Sequence, residues 1–173
     1  DSSNPESTKD DVVAALAAEG LHIYARHGAS PEEMRRYMSI ALELQPHVVI
    51  DDGGDLVELL HESQRQHGEQ MLGACEETTS GVLRARARAR AGQLRFPVVL
   101  VNDARCKCLF DNVHGTGQSA WEAVMRSTNL VLAGKTVVII GYGWCGKGCA
   151  LRAQGLGANV VVCEVDPVKA ADA

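Results

Sequence analysis

The sequence predicts an α/β fold built on parallel strands. Three observations carry that reading. Short β-branched runs alternate with longer helical stretches, the apolar runs are continuous rather than alternating, and polar residues gather where the runs end. The runs are "LHIYAR" at 21–26, "HVVID" at 47–51, "PVVLV" at 97–101, "KTVVIIG" at 135–141 and "NVVVCE" at 159–164. A parallel strand covered on both faces has no polar side to show, so a sheet buried on both sides is expected.

Between these runs lie the helices. "SPEEMRRYMSIALELQ" begins with Ser30 as N-cap, Pro31 at the first helical position and an acidic first turn. "TTSGVLRARARARAG" and "TGQSAWEAVMRSTNLVLAG" are each closed by a glycine. The arginines of the first of these do not make a focused basic patch. Arg84 and Arg88 share one helix face while Arg86 and Arg90 lie nearly opposite, as on a solvated helix or a subunit contact. Two glycines and polar residues in Asn112–Ser119, "NVHGTGQS", predict a hinge, dividing the chain into 1–112 and 113–173.

Composition sets limits on function. The 173 residues are 46% hydrophobic and 23% charged, with a net charge of −5. Mild acidity argues against a nucleic-acid partner or a membrane surface, and no apolar run approaches the roughly 20 residues of a membrane helix. The six cysteines sit in or beside apolar runs without C-x-x-C spacing. Free thiols in a reducing cytoplasm are expected rather than disulfides, and "CKC" at 106–108 lacks zinc-site spacing. The chain starts at Asp1 and stops one strand after its Gly-rich loop, which reads as a fragment of a longer α/β protein.

Open α/β sheets bind ligands beyond the carboxyl ends of their strands. Here those ends read "DDGGD" at 51–55, "EETTS" at 76–80, "NDARCKCLFDN" at 102–112 and "GYGWCGKG" at 141–148. One such cluster is ordinary turn chemistry; several at successive strand ends converge on one rim and make a site. Within the third, Lys107 and Asp111 stand four apart. They form either a surface pair or a buried lysine set to take a proton.

The last cluster satisfies two phosphate-binding patterns. As a Walker A loop it fails, because Gly148 stands where a hydroxyl should ligate magnesium. As G-x-G-x-x-G it has a strand before it, a helix after it, and Glu164 at the end of the next strand, 18 residues beyond Gly146. Gly141 permits the tight turn, Gly143 lets a pyrophosphate approach, and Gly146 allows close helix packing; Glu164 would accept hydrogen bonds from a ribose. The loop is read as an NAD site, with Lys147 incidental to the motif rather than a γ-phosphate ligand.

These blocks, with "NPESTKDDVVAAL" and "EVDP", resemble S-adenosylhomocysteine hydrolase along the whole chain. The resemblance implies part of a Rossmann-like substrate domain followed by the first β-α-β of an NAD-binding Rossmann domain. It implies reversible hydrolysis of S-adenosylhomocysteine to adenosine and homocysteine, a step of the methyl cycle. A resident NAD oxidises the 3′-hydroxyl, which makes the C4′ proton acidic; homocysteine is then eliminated, water adds, and the ketone is reduced again.

Carried over, Glu77 would hold the ribose hydroxyls, and Asp52 would handle the C4′ or leaving-group proton. Lys107 would sit beside the 3′-hydroxyl with Asp111 as its partner and Asn112 near the nicotinamide. Thr78, Thr79 and Ser80 would contact NAD, as would Gly141, Gly143, Trp144, Cys145, Gly146, Lys147, Gly148 and Glu164 in the cofactor loop and ribose site.

The chain departs from the family pattern at "ARCKCLFDN", which places Arg105, Cys106 and Cys108 beside Lys107, and at Glu6 and Lys9. An N-terminal segment and the C-terminal half of the family are expected to be missing, so these residues alone should not turn over substrate. A cytoplasmic homotetramer is implied for the complete protein. The competing reading is a non-catalytic relative that binds NAD or another protein.

Overall fold

Parallel pairing governs both sheets in the computed structural model, which describes all of residues 1–173. The chain divides into two units, Asp1–Asn102 and Asp103–Ala173. The first contains α1 (Asp10–Ala18), α2 (Pro31–Glu43), β1 (Val48–Asp51), α3 (Asp55–His61), β2 (Gly73–Glu76), α4 (Thr79–Arg90) and β3 (Val98–Leu100). The second contains a π-helix at Lys107–Gly115, then α5 (Thr116–Thr128), β4 (Thr136–Ile140), α6 (Trp144–Gly155), β5 (Asn159–Cys163) and α7 (Pro167–Asp172).

In the first unit the strand order is β1-β2-β3, with Asp51 opposite Glu76 and Glu76 opposite Leu100. Leu42, Val49, Val57, Leu60, Met71, Ala74 and Phe96 form its core. Burial of a side chain such as Leu60, which is fully enclosed, contributes about 1.5–3 kcal/mol. Helix α2 starts as its sequence dictates. Ser30 Oγ accepts from the Glu33 amide, Glu33 accepts from the Ser30 amide, and Pro31 occupies the first turn. Arg84 and Arg88 share one face, and that face meets not solvent alone but the acids of α3: Arg84 pairs with Asp55 and Glu58, and Arg88 with Glu62. Exposed pairs of this kind contribute about 0–1 kcal/mol each.

Four expectations change. "LHIYAR" is not a strand, since it has a single β-branched residue, Ile23, and no neighbouring ladder. Its first amide closes α1 on Leu16 O, and Arg26 forks onto both carboxylate oxygens of Glu33 at 2.8 Å. Asn112–Ser119 is helical throughout, because its glycines serve close approach rather than bending. The two compact units divide after Asn102. Helix α5 stops at Thr128 with Asn129 left-handed (φ 54°), short of Gly134. Lastly, burial alternates along β1 and β4: Val48 and Ile50 are 55% and 77% exposed, Val138 and Ile140 54% and 88%. Within residues 1–173 each of these strands packs one face.

His61 is buried at the end of α3. Its Nδ1 lies 2.7 Å from the Val57 carbonyl, so Nδ1 carries the proton. Nε2 accepts from the Arg95 amide at 3.0 Å, and the ring leans on Phe96. Burial holds its pKa below the usual imidazole range, reinforced by Arg88 and Arg95. A lowered histidine binds fewer protons folded than unfolded. Stability should therefore fall as pH drops through about 6.5 toward the lowered value. In His61→Gln, urea unfolding should show a weaker acid-side loss and an overall cost of about 1–3 kcal/mol. An unchanged pH slope would remove His61 as its source.

Candidate functional site

At the ends of β1 and β2 stand two doubled acids, Asp51-Asp52 and Glu76-Glu77. Successive strand residues face opposite ways, and burial splits each pair: Asp51 and Glu76 are 3% and 1% exposed, while Asp52 and Glu77 are open to solvent. Asp51 accepts from the amides of Asp52, Leu56 and Val57 and so starts α3. Burial raises its pKa, as does the adjacent Glu76, and the backbone donors oppose them.

Glu76 Oε1 accepts from the Gly53 amide at 3.0 Å and from the Thr78 amide and hydroxyl at 2.9 and 2.7 Å. Thr78 Oγ1 also accepts from the Gly81 amide and caps α4. The Thr79 hydroxyl accepts from Asn102, and Ser80 Oγ lies 3.2 Å from that of Thr78. The exposed Asp52 borders a cleft of about 720 Å³ that is also lined by Met34, Met38, Ile50, Asp55 and Leu59. The buried acids are the residues sequence reasoning missed. The doubling of the acids at strand ends was their only sign.

In the second unit the π-helix places Lys107, Asp111 and Asn112 together. Its i→i+5 hydrogen bonding turns residues four and five apart toward one another. Lys107 Nζ donates to Asn112 Oδ1 at 2.7 Å and lies 3.3 Å from Asp111 Oδ2. Asn112 is buried, the lysine side chain is 20% exposed and Asp111 is open. The arrangement combines features of both sequence readings, an i,i+4 pair around a largely covered amine. Gly115 leaves room for it, since a β-carbon there would stand 2.7 Å from Asp111 Oδ1. Cys106 is exposed, and Cys108 Sγ contacts the Arg105 carbonyl at 3.7 Å.

The Gly-rich loop joins β4 to α6. Gly141 is left-handed (φ 92°), and a β-carbon at Gly146 would overlap the Gly141 carbonyl. Gly143 is the N-cap and brings no side chain to the helix start, and the space beside its α-carbon is open. Trp144 and Cys145 are exposed in the first turn. Glu164 accepts from the amides of Asp166, Tyr142 and Val165, which hold its pKa below the usual carboxylate range.

An uncapped helix start, an open glycine and an ionised strand-end carboxylate fit a dinucleotide, with pyrophosphate on the amides and a ribose on Glu164. Lys147 is engaged elsewhere, 2.6 Å from Asp172 and over the Tyr142 ring. Gly148 has a role the motif does not reveal: a β-carbon there would overlap the Val113 carbonyl of the π-helix. Gly117 of α5 also approaches the Gly148 backbone, where a β-carbon would stand 2.7 Å from the Gly148 carbonyl. Trp121 Nε1 donates to the Cys149 carbonyl at 2.8 Å across the same seam.

Residues 1–72 match the family model described as S-adenosyl-L-homocysteine hydrolase, and residues 112–173 match the NAD binding domain of that family. The adenosylhomocysteinase of Pyrococcus abyssi is 57% identical over 171 residues, 99% of this chain and 40% of that protein. The adenosylhomocysteinase of Thermotoga maritima is 53% identical, over 99% of this chain and 42% of the other. The S-inosyl-L-homocysteine hydrolase of Methanocaldococcus jannaschii is 53% identical, over 98% and 41%. The chain thus spans about 40% of the length of the curated relatives it matches.

Two glycine substitutions should separate packing from ligand approach. Gly148→Ala should lower stability by about 1–3 kcal/mol through overpacking against Val113. Gly143→Ala, with open space at its β-carbon, should leave stability within about 0.5 kcal/mol yet weaken NAD binding. Urea midpoints and NAD titration measure both, and equal stability losses would contradict the assignment.

Proposed function

The chain belongs to the S-adenosyl-L-homocysteine hydrolase family, and from that premise we propose that the protein hydrolyses the thioether of S-adenosylhomocysteine to adenosine and homocysteine. NAD is the cofactor of its second unit. When bound, NAD supplies the transient oxidation of the ribose 3′-hydroxyl that makes elimination possible. The methyl cycle, the cytoplasm and a homotetramer are the setting this reading assigns to the complete protein.

One observation carries the reading. The helix bearing Lys107, Asp111 and Asn112 meets the helix of the Gly-rich loop at Gly148, within a single unit. A proton-transferring amine beside a dinucleotide loop is what an enzyme needs when it oxidises and then re-reduces an alcohol.

Each residue then has a task. Lys107 Nζ takes the 3′-hydroxyl proton and returns it, with Asp111 and Asn112 fixing the amine. Glu77 accepts from the ribose hydroxyls, and Asp52 moves the C4′ or leaving-group proton. The free amides at the start of α6, from Trp144 to Gly146, receive the cofactor pyrophosphate, Gly141 turns the backbone toward it, and Gly143 and Cys145 border it, with Lys147 and Gly148 following in the same helix. Glu164 receives the cofactor's adenosine ribose. Thr78, Thr79 and Ser80 are assigned hydroxyl contacts to the cofactor in the complete protein.

Some relatives are named for the adenosyl compound and others for the inosyl one, so substrate choice is tested directly by comparing kcat/KM for both thioethers. Adenosyl is expected to be preferred, and an inosyl preference would reassign the base. In full-length protein carrying this chain, Lys107→Ala should reduce hydrolysis by about 10²–10⁴-fold, the usual range for a lost acid–base group. NAD content should be unchanged. Near-normal turnover would sink the role of Lys107. Trp144, 47% exposed in the loop, should change its fluorescence on NAD addition, and a silent titration would count against NAD binding at this loop.

A further inference from the structure

Glu76 is buried more completely than any other acid in the chain and has no task in the scheme above. It ends β2 with 1% exposure, and its Oε2 is enclosed without a hydrogen-bond partner. Burying a carboxyl is unfavourable unless its hydrogen bonds are met, and a leucine would fill the same space without that penalty. Its bonds are therefore the feature to explain.

Oε1 takes three of them, and they come from two loops. The Gly53 amide belongs to the β1–α3 loop, next to Asp52. The Thr78 amide and hydroxyl belong to the β2–α4 loop, next to Glu77. The Glu77 amide donates in turn to the Asp51 carbonyl at 3.2 Å, so each exposed acid is tied through the chain to the other's strand. The pocket for the carboxyl exists because Gly81 has no β-carbon; one would overlap all three carboxyl atoms.

We infer that Glu76 is a positioning residue, a clamp between the two loops that sets the spacing at which Asp52 and Glu77 meet one ribonucleoside. This rests on the reading of Asp52 and Glu77 as ribonucleoside-binding acids. Glu76 touches no substrate. It works through the Gly53 and Thr78 amides, which fix the backbone on either side of the acids that do. A purely structural Glu76 would affect folding alone. A clamp must affect substrate binding as well, because it sets the acids that hold the ribonucleoside, and a misplacement of about 1 Å in a positioned group can also cost about a hundredfold in rate.

The test uses full-length, NAD-loaded protein and the nucleosyl-homocysteine it hydrolyses. Glu76→Gln keeps an acceptor at Oε1 and should leave KM within about twofold of the unsubstituted protein. Glu76→Leu keeps the volume and removes the acceptor. It should raise KM by about tenfold or more and lower kcat, with NAD content retained. Should the leucine variant fail to fold, Glu76→Asp decides the matter. Its carboxylate falls one methylene short of Gly53, and the same rise in KM is expected.

A lowered Tm with normal KM and kcat in the leucine or aspartate variant overturns the clamp and leaves a structural residue. So does a glutamine variant as impaired as the leucine one. If the unsubstituted protein hydrolyses neither nucleosyl-homocysteine, the functional reading itself falls, and the clamp's purpose falls with it.

Discussion

The contact between Gly148 and the Val113 carbonyl is the constraint on which the second unit depends. Two helices can approach backbone to backbone only where side chains vanish, and Gly148 and Gly117 remove them at the crossing. The approach brings the start of α6, where a cofactor phosphate would rest, against the helix that carries Lys107. A larger residue at either position would separate the two and leave each motif intact but out of reach of the other. A loop can match a phosphate-binding pattern perfectly and still fail if this seam opens.

In the first unit the organising device is the doubling of acids at strand ends. Because β residues alternate in direction, a pair such as Asp51-Asp52 yields one buried and one exposed carboxylate with no further instruction. The buried members organise backbone amides, and the exposed members stay available. Adjacent parallel strands repeat the arrangement at Glu76-Glu77, opposite Asp51 in the ladder. Two short strands thereby set an exposed layer of carboxylates over a buried layer that organises the loops.

Much of this was legible in the sequence. The start of α2 at Ser30 and Pro31, the Gly-rich loop with Glu164 in register, and the shared face of Arg84 and Arg88 follow from spacing alone. What escaped has physical causes. "LHIYAR" reads as a strand because apolar content registers locally, whereas a strand is defined by a neighbour that local sequence does not name. The glycines at 112–119 read as a hinge because the letter reports conformational freedom and not the close contact that freedom permits. The inner acids were overlooked because a doubled acid looks like redundancy until the alternation of the strand separates its members.

The π-helix at Lys107–Gly115 carries a consequence for how this site can vary. Wider winding accommodates one residue more than an α-helix does over the same span, and such segments are rare because the ordinary helix is the more comfortable state. A change of length that tightened this span to α-helical winding would set residues five apart about 140° from one another around the axis, turning the lysine away from its asparagine. Length here is as much a part of the site as composition, and a census of retained residue types would overlook its loss.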